Sequence, residues 1–225
     1  LPSFERQAGL SLADTRERAR TFAQSIREID LDILHELEGI AAGSKQAFED
    51  IVAVNCRTEL LYGSAMGLKP ATECTTIAVL PEAAREGGVI VGKNWDWRNG
   101  CVDSIVVLKI RQQRKPALTL IVEAGMVGRD GFNEEGIAIC GNLLVSNEDR
   151  GHVGVPIPIL RRQVLNAHHY YEAIDRLVRA PRGASGNYLI AHRGGVAIDF
   201  ELSPKQAFPV YPERGLLTHS NHFQS

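Results

Sequence analysis

The sequence lacks the cysteine pattern of a metal-binding or redox protein. Its four cysteines, Cys56, Cys74, Cys101 and Cys140, are widely spaced, and none belongs to a Cys-x-x-Cys pair. Zinc ligation and dithiol exchange therefore have little support, and we expect no metal or redox cofactor. Cys56 and Cys140 sit among apolar neighbours, as core residues do. A chain of 225 residues can bury a core without disulfides, so we expect a reducing, cytoplasmic compartment.

Long apolar runs and a dominant charge are also absent. No uninterrupted apolar stretch approaches the roughly 20 residues that cross a bilayer, and no charged segment followed by an apolar one opens the chain. The formal net charge is -2, and basic residues cluster only briefly at Arg111, Arg114 and Lys115. With 44% hydrophobic and 23% charged residues, the composition is that of a soluble globular protein. Membrane and nucleic-acid partners are therefore disfavoured.

Residues 11–55 carry the pattern of amphipathic helices. Ser11 with Asp14 three residues later is typical of a capping box, and apolar residues then recur at helical spacing. A second helix is predicted from Asp32 to Gly43, and Ser44 is a candidate cap for a third. The beginning of the chain is therefore predicted to be helical.

After residue 74 the pattern changes to strands separated by glycine and asparagine turns. Two helices are predicted near 156–166 and 170–180. Strands are predicted near 75–80, 89–94, 103–111, 117–123, 136–142, 188–192, 196–202 and 216–220. This meander-like order favours mostly antiparallel pairing, so the sequence predicts layers of sheet and helix in an α+β fold.

The position of Cys74 is typical of a nucleophile that becomes active only after the chain is cut. It opens the β-branched strand Thr75-Thr76-Ile77, behind an acidic lead that ends at Glu73. If the chain were cut between Glu73 and Cys74, Cys74 would carry both a thiol and a free α-amino group, whose ordinary pKa is roughly 7.7 to 8.0. Such an amine can act as a general base near neutral pH. The alternative is a buried strand cysteine with only a packing role.

Several motifs occur in a fixed order along the chain. They are Cys74-Thr75-Thr76, Gly92-Lys93-Asn94-Trp95-Asp96, the stretch from Glu123-Ala124-Gly125 through Gly131-Phe132-Asn133-Glu134-Glu135-Gly136, and Thr218-His219-Ser220-Asn221-His222. In this order they resemble the acyl-coenzyme A:6-aminopenicillanic acid acyltransferase family of N-terminal-nucleophile hydrolases and, more distantly, the bile salt hydrolases. The likeness covers nearly the whole chain.

The resemblance implies a four-layer αββα fold with mostly antiparallel sheets and a precursor that cuts itself between Glu73 and Cys74. Residues 1–73 would form a helical amino-terminal subunit or propeptide part, and residues 74–225 the catalytic subunit. Family members continue well beyond the position of Ser225, so this catalytic subunit is expected to be incomplete. The implied activity is hydrolysis or transfer of the acyl group of a non-cyclic or lactam-bearing N-acyl amide, through an acyl-thioester on Cys74.

The resemblance also assigns roles to four polar residues. Asp96 would lie beside the Cys74 amino group, and Asn221 would donate to the oxyanion of the tetrahedral intermediate. Lys93 stands where bile salt hydrolases carry an arginine that contacts the thiolate, and Asn142 would line the site. Each has a plainer alternative: a strand-end turn for Asp96 and Asn142, a solvated strand side chain for Lys93, and a loop position for Asn221.

Two other functions stay open at this point. A thiol hydrolase of the Cys–His type, without self-processing, would need a histidine beside Cys74. The candidates are His152, His168, His169, His219 and His222. A non-catalytic binding domain of the same fold would show neither cleavage nor labelling of the thiol.

The partners expected from the resemblance are a small-molecule N-acyl amide and, after cleavage, the second subunit. Self-association into a homo-oligomer is left open. The resemblance allows acyl-coenzyme A as a co-substrate, but the sequence contains no glycine-rich phosphate loop to bind it. Simple hydrolysis is therefore the preferred activity at this stage.

Overall fold

The structure is a computed structural model that describes residues 2–63, 74–97, 99–149 and 153–225, without the side chains of residues 2 and 3. Glu73 and His152 lie outside these ranges. The predicted cleavage site is therefore described only on its Cys74 side. The division into parts 1–73 and 74–225 stays a prediction.

Helices fill the first part of the chain. They are α1 (Pro2–Ala8), α2 (Leu12–Ile29), α3 (Leu31–Ser44), α4 (Phe48–Asn55) and α5 (Arg57–Tyr62). The predicted capping box at α2 is present, with the Ser11 hydroxyl and the Asp14 carboxylate each accepting the other residue's main-chain N–H. The prediction that Ser44 caps the next helix was wrong. Its hydroxyl instead donates to the carbonyl of Ile40 and closes α3, while Ala47 precedes α4 without a side-chain cap.

Strands and two more helices follow Cys74. The strands are β1 (Cys74–Val79), β2 (Ile90–Trp95), β3 (Ile105–Ile110), β4 (Leu118–Glu123), β5 (Asp130–Asn133), β6 (Ile137–Cys140), β7 (Gly186–His192), β8 (Val196–Leu202), β9 (Ala207–Val210) and β10 (Leu216–His219). Helices α6 (Ile157–Leu165) and α7 (Tyr170–Arg179) lie between β6 and β7. The α+β class is thereby confirmed.

The sequence pattern missed two short strands, β5 and β9. Gly131 and Pro209 interrupt their apolar patterns, and both residue types weaken a strand prediction. Gly131 is needed in β5 because a Cβ at that position would lie 2.2 Å from the carbonyl oxygen of Thr119 on β4. Pro209 is tolerated because β9 forms the edge of its sheet.

The described strands form two sheets, and each pairing of neighbouring strands in them is antiparallel. The small sheet has the order β10-β1-β2, and the large sheet has the order β3-β4-β5-β6-β7-β8-β9. Strand β1 is therefore the centre of the small sheet. The prediction of mostly antiparallel sheets is confirmed.

The large sheet is buried on both faces at its centre. Along β7, Tyr188 and Ile190 pack into the core shared with the helices, whereas Leu189 and Ala191 pack against the small sheet. This alternation follows from the two-residue period of a strand. The described residues thus form a helical layer, the large sheet and the small sheet, in that order.

The small sheet has one open face among the described residues. In β1, Cys74, Thr76 and Ala78 point inward and are buried, whereas Thr75 and Ile77 are exposed. The helical layer and the two facing sheets correspond to three layers of the predicted αββα arrangement. The strand alternation of β1 therefore places the thiol of Cys74 between the two sheets.

We predict that Glu59 makes the stability of the protein fall between about pH 4.5 and pH 7. Its Oε1 accepts the N–H of Ile157 at 2.8 Å, and its Oε2 is buried without a hydrogen-bond partner among the described residues. Burial raises the pKa of Glu59 to about 7. The folded state therefore holds this proton where the unfolded chain has lost it, and stability falls as pH rises through that window by up to about 3 kcal/mol.

Thermal unfolding at pH 5 and pH 8 tests this prediction. Glu59→Gln should unfold with a smaller difference between the two pH values than the wild type. The exposed Glu86 provides a matched control, since Glu86→Gln should keep the wild-type difference. An unchanged pH difference in Glu59→Gln would show that Glu59 ionises normally in the folded protein.

Candidate active site

Strand pairing assembles the site around the first residue of β1. Cys74 lies opposite Trp95 on β2, and Thr76 lies opposite both Lys93 on β2 and His219 on β10. Directly opposed residues in an antiparallel pair place their side chains on the same face. The side chains of Cys74, Trp95 and Lys93 therefore share the inner face of the small sheet.

A cavity of about 250 Å³ opens next to Cys74. The Cys74 residue is 6% exposed and lines this cavity together with Lys93, Trp95 and Asn142. Apolar residues from the helical layer and the loops complete the wall. They include Val54, Leu61, Met126, Leu143, Ile157 and Pro158. The thiol therefore lies at a cavity that combines an apolar wall with polar groups, as small-molecule sites do.

Asn221 contacts the nucleophile's residue directly. Its Oδ1 accepts a hydrogen bond from the main-chain nitrogen of Cys74, across 147 positions of sequence. Its Nδ2 donates to the carbonyl of Leu143 at 2.8 Å. One N–H group of this amide is thus used within the fold, and the other makes no hydrogen bond among the described residues. The structure brings Asn221 to Cys74, and its role at the oxyanion stays a prediction.

Lys93 is buried and paired, rather than solvated. Its Nζ donates to Asp130 Oδ2 at 2.9 Å and to the carbonyl of Gly141 at 2.5 Å. Burial lowers the pKa of Lys93, while the carboxylate of Asp130 and the nearby Cys74 act in the opposite direction. Position 141 has no room for a larger residue, because a Cβ there would lie 2.0 Å from the carbonyl oxygen of Asn187. Lys93 is therefore a fixed positive charge close to the thiol.

Asn142 is held by a buried chain of polar side chains. Its Nδ2 donates to Thr76 Oγ1 at 3.1 Å and to the carbonyl of His219 at 3.0 Å. Asn187 Oδ1 accepts from the same amide at 3.1 Å, and Asn187 Nδ2 donates to Asp199 at 2.6 Å. The Oδ1 of Asn142 is buried without a partner among the described residues. Asn142 therefore lines the cavity, and these contacts orient its amide. Its role in the reaction stays a prediction.

Asp96 is exposed to solvent, unlike the other predicted catalytic residues. It follows Trp95 by one residue, after the end of β2, and its side chain is exposed. Strand alternation explains this, since Lys93 and Trp95 point inward and the next residue points away. Among the described residues, no hydrogen bond or ion pair joins Asp96 to Cys74. Its proposed contact with the amino group stays a prediction.

The described histidines lie away from the cavity. His219 is fully buried, with Nε2 2.7 Å from Glu201 Oε1 and Nδ1 2.6 Å from the carbonyl oxygen of Ser220. His222 contacts the Ser220 hydroxyl, and His168 contacts Glu135 on the surface. None of the described histidines lines the cavity at Cys74. The described part of the chain therefore offers no base for a Cys–His mechanism.

The sequence analysis missed a charged network on the cavity floor. Asp130 is paired with Lys93 and also accepts from Arg161 at 3.1 Å. Burial alone would raise the pKa of Asp130, but Lys93, Arg161 and Arg129 together hold it below its usual value. Arg129 and Asp130 lie inside the motif that runs from Glu123 to Gly136, so the sequence did carry a signal for these two residues. That Arg161 of α6 turns toward them depends on tertiary packing, which no local pattern reveals.

Glu123 forms the other half of this network. Arg57 of α5 binds its two oxygens at 3.1 and 2.8 Å in a bidentate pair. The guanidinium of Arg57 also lies over the ring of Trp97, 4.6 Å from its centroid. Burial would raise the pKa of Glu123, and Arg57 reverses this effect. The pair therefore joins the helical segment to β4 next to the cavity.

No three side chains of histidine, cysteine, aspartate or glutamate in the described ranges are grouped so that they could hold a metal ion. No helix in these ranges is both long and apolar enough to span a bilayer.

Comparison with known proteins identifies the family. The acyl-coenzyme A:6-aminopenicillanic acid acyl-transferase family matches residues 83–225, which is more than half of the chain. The chain is 28% identical over 222 residues to the acyl-coenzyme A:6-aminopenicillanic-acid-acyltransferase 40 kDa form of Emericella nidulans. This match covers 95% of the chain but only 60% of that relative.

Two solved structures match part of the chain. The penicillin V acylase from Agrobacterium tumefaciens matches with a TM-score of 0.46 and 16% identity, over 64% of this chain and 51% of that one. A variant of the conjugated bile acid hydrolase from Clostridium perfringens matches with a TM-score of 0.45 and 17% identity, over 64% and 52%. Both structural likenesses are partial, and the family match carries the assignment: the chain belongs to the acyl-coenzyme A:6-aminopenicillanic acid acyl-transferase family.

Proposed function

We propose that the protein is a self-processing cysteine amidohydrolase or acyltransferase that acts on N-acyl amides through an acyl-thioester on Cys74. The observation that carries this proposal is the position of Cys74. Its thiol lies at the cavity, and its nitrogen is held by Asn221. A residue whose sulfur and nitrogen both face organised polar groups is suited to use the sulfur as nucleophile and the freed nitrogen as base.

Self-processing would create that base. The Cys74 sulfur attacks the carbonyl carbon of Glu73, and the acyl group moves from the nitrogen to the sulfur. Water then hydrolyses the thioester, which leaves a carboxylate on Glu73 and a free α-amino group on Cys74. The contact from Asn221 Oδ1 to the Cys74 nitrogen would remain available to the new amine and orient it.

Formation of the acyl-thioester would use the amine twice. The amine first accepts the proton of the Cys74 thiol while the sulfur attacks the carbonyl of the substrate, giving a tetrahedral oxyanion. The resulting ammonium then gives its proton to the leaving nitrogen, so that the amine product departs and an acyl-thioester remains. Lys93 and the second N–H of Asn221 are the candidates that we propose to stabilise negative charge in these steps.

The acceptor of the acyl group decides between hydrolysis and transfer. Water at the thioester gives a carboxylic acid, whereas a second amine gives a new amide. The Emericella relative is named an acyltransferase, which supports including transfer in the proposal. We propose hydrolysis of a small N-acyl amide as the basic reaction, with acyl-coenzyme A as a candidate acyl donor. The apolar wall formed by residues such as Leu61, Met126 and Ile157 suits the acyl chain.

Replacing Cys74 should stop both self-processing and turnover. We expect the purified wild-type protein to give two polypeptides, the second beginning at Cys74, and Cys74→Ala to give one uncut chain. Intact-protein mass spectrometry with amino-terminal sequencing measures this. Cys56 is buried away from the cavity, so Cys56→Ala is a control that should still be cut. An uncut wild-type chain, or cleavage in Cys74→Ala, would contradict self-processing by this thiol.

Asn221 should matter for the chemical step. Asn221→Ala should lower kcat by about 10²- to 10³-fold with a smaller effect on KM, because an oxyanion donor acts mainly in the transition state. Asn221→Asp keeps an acceptor for the Cys74 nitrogen but has no N–H to donate. If Asn221 stabilises the oxyanion, both variants should lose turnover.

Steady-state kinetics of the processed protein would separate the two roles of this amide. Near wild-type kcat in Asn221→Asp would show that Asn221 only holds the nitrogen. Asn94 is a matched control, since it lies on β2 with an exposed side chain, and Asn94→Ala should keep the wild-type kcat.

A further inference from the structure

The cavity at Cys74 carries an excess of positive charge. Four cationic side chains line it in the described residues, namely Arg57, Lys93, Arg129 and Arg161, and its described lining includes no carboxylate. Two carboxylates lie behind these cations, Glu123 and Asp130. Four cations against two carboxylates leave an excess of two positive charges. Buried charges are stable only when they are paired, so this excess favours an anionic ligand.

The carboxylates are not shared equally among the four cations. Glu123 is held by Arg57 at 2.8 Å, while Asp130 is held by Lys93 at 2.9 Å and by Arg161 at 3.1 Å. Arg129 reaches the same carboxylates only at 3.5 and 3.6 Å, the longest contacts of the network. Arg129 is therefore the least satisfied cation of the site.

Arg129 is also desolvated and fixed. Its side chain is only 11% exposed, and its Nε is buried without a hydrogen-bond partner among the described residues. Its guanidinium lies over the ring of Trp95, 3.6 Å from the ring centroid, which holds the planar group in one orientation. Burial lowers the pKa of Arg129 to about 10, so it remains charged at neutral pH.

Arg161 is a second buried arginine at the cavity, and it contacts the same carboxylate as Arg129. Arg161 is 8% exposed at its side chain, lines the cavity and has a buried Nε with no partner among the described residues. Its only carboxylate partner in these residues is Asp130, which it shares with Lys93 and Arg129. Both guanidinium groups therefore line the cavity with donor capacity that the described residues do not fully use, and planar forks of this kind bind carboxylates well.

We propose that Arg129, supported by Arg161, is a specificity-determining residue that binds a carboxylate group of the substrate. Trp95 connects this subsite to the thiol, since it stacks on Arg129 and is the cross-strand neighbour of Cys74. The carboxylate is therefore placed close to the bond that is cleaved, on either the amine or the acyl portion of the amide. This inference rests on the proposed function, because it names a group of that reaction's substrate.

The test compares matched acid and amide substrates. N-octanoylglycine and N-octanoylglycinamide differ only in the charge at the end of the amine portion. N-butylglutaramic acid and its diamide make the same comparison on the acyl portion. We expect the wild-type kcat/KM to be about 10- to 100-fold higher for the acid in one of the two pairs, and the pair that responds identifies which portion carries the carboxylate.

Variants of Arg129 decide whether this residue is responsible. In Arg129→Gln the ratio of acid to amide should fall to about 1, through loss of rate with the acid alone, while Arg129→Lys should keep part of the preference. Arg16 pairs with Asp50 outside the cavity, so Arg16→Gln is the matched control with a wild-type ratio. Thermal unfolding of all variants separates loss of binding from loss of fold.

Three results would overturn the proposal. These are equal kcat/KM values for acid and amide in both pairs, an acid preference that survives in folded Arg129→Gln, or an equal loss with both compounds in that variant. If no N-acyl amide is turned over, the proposed function fails instead. Calorimetric binding of the same compounds then still tests the subsite, with tighter binding of the acid in the wild type and none in Arg129→Gln as the supporting result.

Discussion

The pairing of β1 with strands on both sides is the constraint on which the site depends. Hydrogen bonds to β2 place Trp95 and Lys93 next to Cys74, and hydrogen bonds to β10 bring Asn221 to its nitrogen. Because strand side chains alternate, a shift of one residue in either pairing would turn the thiol to the exposed face. The small buried side chain of Ala78 favours the observed register, since a shift would place the larger Ile77 in the packed space between the two sheets.

Charge pairing is the second organising feature of the site. Asp130 lies at its centre and is in contact with Lys93, Arg129 and Arg161. Removing one partner of a buried ion pair commonly costs about 3–5 kcal/mol, because the other charge is left without compensation. The network therefore fixes Lys93 close to the thiol. It also keeps Arg129 and Arg161 ordered at the cavity, where their like charges would otherwise repel one another.

Much of the fold follows from local sequence patterns. The capping box of Ser11 and Asp14, the periodic helices and most strands were predictable, because burial repeats every two residues in strands and every three or four in helices. Strands β5 and β9 were missed, since Gly131 and Pro209 obscure their patterns. Helix α5 was missed because six residues, Arg57–Tyr62, are too few to show a period.

Part of the site could be predicted from residues that lie on a strand or just after one. Cys74, Lys93 and Asn142 were expected at the site and line one cavity, and Asn221 contacts Cys74. Arg161 and Asn187 were not expected, because they come from other elements and meet the site only through tertiary packing. Asp96 is the opposite case, because the motif includes it but the structure does not bring it to Cys74. Its side chain is exposed, one residue beyond the end of the strand.

In the proposed reaction, the sulfur of Cys74 carries the acyl group. The most direct measurement is mass spectrometry of the protein quenched in acid within milliseconds to seconds of mixing with an N-acyl amide, followed by peptide mapping. We expect a mass increase equal to the acyl group on the peptide that begins at Cys74, with the quenched protein kept acidic and digested by pepsin, because at neutral pH the acyl group would move from the sulfur to the free α-amino group. Turnover with no such adduct, or an adduct on another residue, would contradict it.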